Sequence, residues 1–187
     1  MVMNVGRMPA MPVLRRSRRA ACVRGFTMVE LLITLVILAV LLTVAAPSMA
    51  TFINSSRLRA SQAEFVSALT LARSEATRRG TRVSIAAVAP VEGAELSGGW
   101  RVFIDADNSG TFDDGEAELR FHPALTGDVK FATSRPLPIV FDARGFLDGA
   151  GAFEFSLCGR PGFAAGYRIL LEPIGLTDVL EVTTCTG

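Results

Sequence analysis

Residues 24–40 read RGFTMVELLITLVILAV, and the glutamate at position 30 decides how the chain is understood. From Leu31 to Ala46 only Thr34 and Thr43 are even weakly polar. At 1.5 Å per residue, Phe26 to Ala46 rises roughly 31 Å as a helix, the depth of a bilayer's hydrocarbon core. A membrane-spanning helix over 26–46 is therefore expected. Six arginines (Arg7, Arg15, Arg16, Arg18, Arg19 and Arg24) precede it with no acid among residues 1–25, which orients the N-terminus to the cytoplasm. A carboxylate within such a span costs on the order of 2.5–3.5 kcal/mol at mid-membrane and less near the interface. Two accounts of Glu30 stay open. Either it sits at headgroup depth or is protonated, or it meets a positive charge, which cleavage after Gly25 would create as a free amine on Phe26. An ordinary secretory signal cut near Ser48-Met49-Ala50 gives Glu30 no role and needs a shorter apolar run.

Beyond the span, the 187-residue chain leaves enough for one domain of ~100 to 130 residues. Its formal charge of +1 hides an asymmetry. Without the six leading arginines, 13 basic side chains face 18 acidic ones, and the only lysine is Lys130. That balance argues against a protein built chiefly to bind polyanions, which needs clustered cations.

Pro47 removes a backbone donor and should loosen or kink a helix. After it, Leu58, Phe65, Leu69, Ala72 and Ala76 recur at helical spacing and form one apolar face, which needs a partner. Arg57, Arg59, Arg73, Arg78 and Arg79 fall mostly elsewhere and read as a solvated basic side rather than a nucleic-acid stripe. Gly80 is a C-cap candidate, so an amphipathic helix is expected over 47–80. From Thr81 the texture changes to short β-favouring runs between Gly, Pro, Asp and Asn. The expected strands are RVSIAAV, GWRVFID, AELRF, DVKFAT, PIVF, AFEFSL, YRILLE and DVLEVT. An α+β fold follows, with antiparallel sheet over 81–187 resting on the apolar helix face.

Cys22 lies in the basic leader, whereas Cys158 and Cys185 lie together near the C-terminus. That split is consistent with one disulfide in an oxidising compartment; two buried free thiols is the other reading. Asp105, Asp107, Ser109, Thr111 and Glu116, with Gly110 in sixth place, fit the spacing of an EF-hand calcium loop. A strand, GWRVFI, enters this loop where a helix should, and a turn-rich hairpin connection accounts for the same letters without metal. Calcium is the one cofactor the residues raise. No catalytic constellation is present in the sequence: the sole histidine, His122, precedes Pro123, no serine stands in a nucleophile elbow, and GAGAF lacks the following helix of a phosphate loop. The chain is read as a non-enzyme.

The string RGFTMVELLITLVILAVLLTVAAPSM resembles the signal and N-terminal helix of type IV pilins and type II secretion pseudopilins. The resemblance implies that a prepilin peptidase removes a leader over residues 1–25 by cutting after Gly25, and that the new N-terminal Phe26 is methylated. It further implies that Glu30 recruits the subunit into a filament and that Pro47 is the helix-loosening proline. SALTLARSEATRRG, GWRVFIDADNSGTFDDGEAELR and the late LCG resemble the GspH/FimT branch of minor pilins. Membership there implies other pilin subunits and an inner-membrane assembly platform as partners. It also implies a bacterial inner-membrane protein with a cytoplasmic N-terminus and a periplasmic C-terminal domain, destined for a pilus or pseudopilus. The expected role is a minor pilin near the tip of a type IV pilus. The alternatives are a GspH-type pseudopilin of type II secretion and a DNA-binding minor pilin of an uptake machinery. Some relatives carry a basic element for DNA between their last strands, but here that place reads EPIGLTDVLEV, with Leu176 and Asp178 where arginines would stand. The nucleic-acid role is not carried over.

Overall fold

The computed structural model describes residues 25–127, 129–149, 151–159 and 166–183, without the side chains of 44–48. The leader, Cys22 and Cys185 lie outside the described residues. The chain divides into two units, Met1–Thr43 and Val44–Gly187. Helix α1, Met28–Arg79, contributes to both.

The helix starts and stops where its sequence provides for the unpaired backbone groups. Thr27 Oγ1 accepts a hydrogen bond from the backbone N–H of Glu30 at 3.2 Å, so Thr27 is the N-cap and Glu30 falls in the first turn, where an acid suits the helix dipole. At the other end Gly80 adopts φ 65°, and the N–H groups of Gly80 and Thr81 both donate to the carbonyl of Ala76, as the C-cap reading expects. Just before it, Glu75 accepts from the guanidinium groups of Arg78 and Arg79. The Arg78 hydrogen bond, followed by that from Arg79, lowers the Glu75 carboxyl to about 2, so the clasp persists through any mildly acidic medium.

Eight strands follow: β1 Val83–Ala87, β2 Trp100–Ile104, β3 Glu118–His122, β4 Lys130–Thr133, β5 Ile139–Phe141, β6 Phe153–Cys158, β7 Gly166–Leu171 and β8 Thr177–Val182. They form two antiparallel four-stranded sheets, ordered β3-β2-β1-β5 and β4-β6-β7-β8. The chain therefore leaves the first sheet after β3, lays down β4 in the second, and returns with β5 to pair with β1. In β6 the alternation read from the sequence holds, because Phe153, Phe155 and Leu157 are buried while Glu154 is exposed. The edge strands β3 and β8 are largely exposed.

Leu58, Phe65, Leu69, Ala72 and Ala76 are all buried, and Ala68 joins them. Small residues at 68, 72 and 76 let the helix approach the strands closely, while Phe65 supplies the bulk. The Phe65 ring meets Trp100 of β2 at 5.2 Å, Phe131 of β4 at 4.7 Å and Phe155 of β6 at 4.9 Å, each edge to face. One helical side chain thus touches both sheets. The loop before β2 adds a polar tie, since Ser97 Oγ accepts from the N–H of Phe131 and donates to the carbonyl of Val129.

A second tie lies where the helix meets two turns. Arg73 donates to the carbonyl of Gly175, in the β7–β8 turn, at 3.0 Å. Gly175 has φ 77°, and a Cβ there would stand 2.7 Å from the carbonyl oxygen of Gly145. Gly175→Ala is expected to cost about 2–3 kcal/mol, because left-handed strain and a backbone clash act together. A urea midpoint within error of the unaltered chain would refute this.

Candidate functional site

Three of the sequence-derived sites lie within described structure: the start of α1, the β2–β3 loop and the sulfur at the end of β6. At the start of α1, Gly25 has nothing within 4 Å of a would-be Cβ, and Phe26 is 78% exposed. Every described residue from Gly25 to Thr43 is exposed, on all faces of the helix. Leu31, Leu32, Ile33, Leu35, Val36, Ile37, Leu38, Val40, Leu41 and Leu42 are all among the exposed large hydrophobics. Glu30 is the single charged residue in this stretch. The position of Glu30 in the first turn, behind the Thr27 cap, was missed by reading the sequence for hydropathy alone; the letters T-x-x-E at 27–30 carried the signal.

The expected span over 26–46 falls on the first part of this helix. The helix begins at Met28, and no helix among the described residues is long and apolar enough to cross a membrane. Pro47 falls inside α1, but its side chain is outside the description.

In the β2–β3 loop the chain folds back on its own sheet. Phe112 packs edge to face on buried Phe103 at 5.5 Å, and the Arg101 guanidinium lies 4.2 Å over the Phe112 ring. This brings the carboxylates of Asp105, Asp107 and Glu116 together, with one oxygen of each within 4.8 Å of the others. Asp105 is 1% exposed. Its Oδ2 accepts from the hydroxyl of Ser84, itself buried, at 2.7 Å and from the N–H of Gly110 at 3.2 Å. Its Oδ1 has no hydrogen-bond partner. Gly110 is required twice over, by φ 73° and by a would-be Cβ only 2.7 Å from Cγ of Pro138. Asp107 accepts from the N–H of Ser109, and this bond above all holds its carboxyl below the usual range. Glu116 accepts from the N–H groups of Ala106 and Asp113.

Of the five residues read from the sequence as calcium ligands, Asp105, Asp107 and Glu116 bring carboxylate oxygens together. The hydroxyls of Ser109 and Thr111 each donate to Asp113 Oδ2 at 3.2 Å. The linear pattern assumed a helix–loop–helix frame. Here strand β2 enters the loop instead.

Cys158 is buried at the end of β6 and does not stand as a free thiol. His122 is held by structure: its ring stacks on Trp100 at 3.9 Å and its Nε2 lies 2.5 Å from Glu64 on α1. The segment 172–183 carries no Arg or Lys, and Leu176 and Asp178 are exposed there. Several helix arginines are also engaged rather than free, since Arg59 donates to Tyr167, Arg73 to Gly175, and Arg78 and Arg79 to Glu75.

Comparison with protein families matches residues 62–175 to the family described as type II transport protein GspH. Residues 21–46 match the prokaryotic N-terminal methylation motif. No curated protein matches the chain. Among solved structures, the type IV minor pilin FimU of Pseudomonas aeruginosa in one crystal form matches with a TM-score of 0.57 at 21% identity, covering 69% of this chain and 92% of that one. A second crystal form of FimU gives 0.54 at 22% identity, with 66% and 92% covered. The minor pseudopilin EpsH of the type 2 secretion system of Vibrio cholerae gives 0.47 at 14% identity, with 66% and 96% covered. At these identities the likeness is one of fold.

Proposed function

This chain belongs to the GspH family of minor pilins and pseudopilins, with the type IV pilin fold, and from that premise we propose that it is a minor pilin assembled at or near the tip of a type IV pilus. The observation that carries the reading is the apolar start of α1, exposed on every face around a lone acid. Nothing among the described residues of the same chain covers it. Lipid covers it first, with the 26–46 segment inserted in the inner membrane, the N-terminus in the cytoplasm and the β-rich domain outside. Helices of neighbouring subunits cover it afterwards, in the filament. Prepilin peptidase makes the exchange directional by freeing the amine of Phe26, which is then methylated and meets the Glu30 carboxylate.

Pro47 gives the helix local freedom during packing, because it withholds one backbone donor. A Cys158–Cys185 disulfide belongs to the same reading, since an exported domain lies in an oxidising compartment and the link would return the chain's end to β6. The inner-membrane assembly platform is the remaining partner. The likeness to FimU, named as a type IV minor pilin, favours the pilus. The description of the matched family favours a second reading, a pseudopilin of type II secretion.

One experiment tests the proposal and separates the two. The protein is recovered from membranes and from sheared surface filaments, and its N-terminal residue is determined by mass spectrometry. Methylated Phe26 in both fractions is the expected result. Processed protein confined to the cell envelope, with secretion of exported enzymes lost on deletion, would transfer the assignment to type II secretion. A mature protein beginning elsewhere than Phe26 would overturn both.

A further inference from the structure

We propose that the β2–β3 loop is a calcium-binding site whose protein ligands are the carboxylates of Asp105, Asp107 and Glu116. Calcium binds oxygen at roughly 2.3–2.6 Å, so two oxygens on one ion stand at most about 4.8 Å apart when each is near 2.4 Å. The three carboxylates meet that bound, since their ligand oxygens all lie within 4.8 Å of one another. Clustering alone would say little, because acidic turns are common on surfaces. Asp105 supplies the independent sign.

Its carboxylate is 1% exposed, its Oδ2 is occupied by Ser84 and Gly110, and its Oδ1 is buried without a hydrogen-bond partner. A buried carboxylate oxygen left without a partner is costly, and proteins avoid it by hydrogen bonding, pairing the group or placing it on a metal. No ion pair among the described residues involves Asp105, Asp107 or Glu116. The carboxyl groups of Asp105 and Asp107 also lie within reach of one another. A cation is the group that satisfies all three at once.

The donor set selects the ion. It is all oxygen, with no histidine or cysteine, which disfavours zinc and other nitrogen- or sulfur-seeking metals. Magnesium asks for oxygens at about 2.0–2.1 Å in near-ideal octahedral order and gives up its waters reluctantly. Calcium tolerates irregular cages completed by water. The frame is prepared for it: Glu116 is held by two backbone N–H groups, Asp107 by one, and Gly110 is packed on Pro138. The Ser109 and Thr111 hydroxyls donate to Asp113 Oδ2. The site joins β2 to β3 and stands whether the chain serves a pilus or a secretion system.

The full-length chain in detergent micelles, freed of metal with EDTA, is titrated calorimetrically with calcium chloride. Saturable one-to-one binding is expected, with Kd on the order of 10⁻⁴–10⁻³ M, the range of extracytoplasmic modules. Tm should rise by about 5 °C at a hundredfold excess over Kd. Magnesium chloride should bind at least about tenfold more weakly. Asp107→Asn and Glu116→Gln, which lie outside the buried core, should fold normally and weaken calcium binding at least about tenfold. Asp105→Asn should melt higher than the unaltered chain without calcium, because a neutral amide replaces a bare buried oxygen, and should lose the calcium response. Absence of saturable heat and of any Tm shift at about 10 mM calcium would overturn the site. So would undiminished binding by Asp107→Asn and Glu116→Gln.

Discussion

Glu30→Gln is expected to leave the protein in the membrane at normal abundance while lowering its share of sheared filaments at least about tenfold. The substitution is chosen because Glu30 has two separable tasks. It sits in the first turn of α1, behind the Thr27 cap, where a negative charge is worth about 0.3–1 kcal/mol to the helix. Glutamine keeps most of the local capping ability and loses only the charge. If the carboxylate also meets the amine of a processed N-terminus, that charge-assisted contact is worth about 1.5–3 kcal/mol net, or roughly 10- to 100-fold in the equilibrium for joining a filament.

Two controls separate these tasks. Thr27→Ala removes the cap hydroxyl at a cost of about 1 kcal/mol and keeps the charge, so incorporation should fall far less than with Glu30→Gln. Glu30→Asp retains the charge on a shorter arm and should be intermediate. Normal amounts of the Glu30→Gln protein in filaments would reduce Glu30 to a helix-start residue and remove the physical basis of the assembly proposal.

The sequence was most legible where a single period governs. All eight expected β runs overlap observed strands, with ends displaced by at most two residues, because each run is short and bounded by Gly, Pro or Asp. The helix face was legible for the same reason, although Ala68, buried like Ala72 and Ala76, was passed over. The division into two sheets was not legible. Whether β5 pairs with β4 or returns to β1 depends on a contact between residues more than fifty positions apart, such as Val83 with Phe141. At the acidic loop the alternating carboxylates were visible as letters. What the letters did not show was Asp113, which lies outside the linear pattern and accepts from the hydroxyls of Ser109 and Thr111.

Phe65→Ala should produce the largest loss of stability, about 3–5 kcal/mol, with Tm lower by about 10 °C or more. Phe65 is fully buried and makes edge-to-face contacts with Trp100, Phe131 and Phe155. Truncation therefore leaves a cavity bounded by rings from three strands, which cannot all collapse inward because each is fixed in its own ladder. Phe103, equally buried, has one aromatic neighbour, Phe112, which belongs to a loop and can follow a retreating side chain. Phe103→Ala should accordingly cost less. Hydrogen exchange gives the sharper test. Because Trp100 lies in one sheet and Phe131 and Phe155 in the other, Phe65→Ala should lower amide protection in β2, β4 and β6 together. Loss confined to one sheet would mean that Phe65 packs on that sheet alone and that the two are held together by their loops.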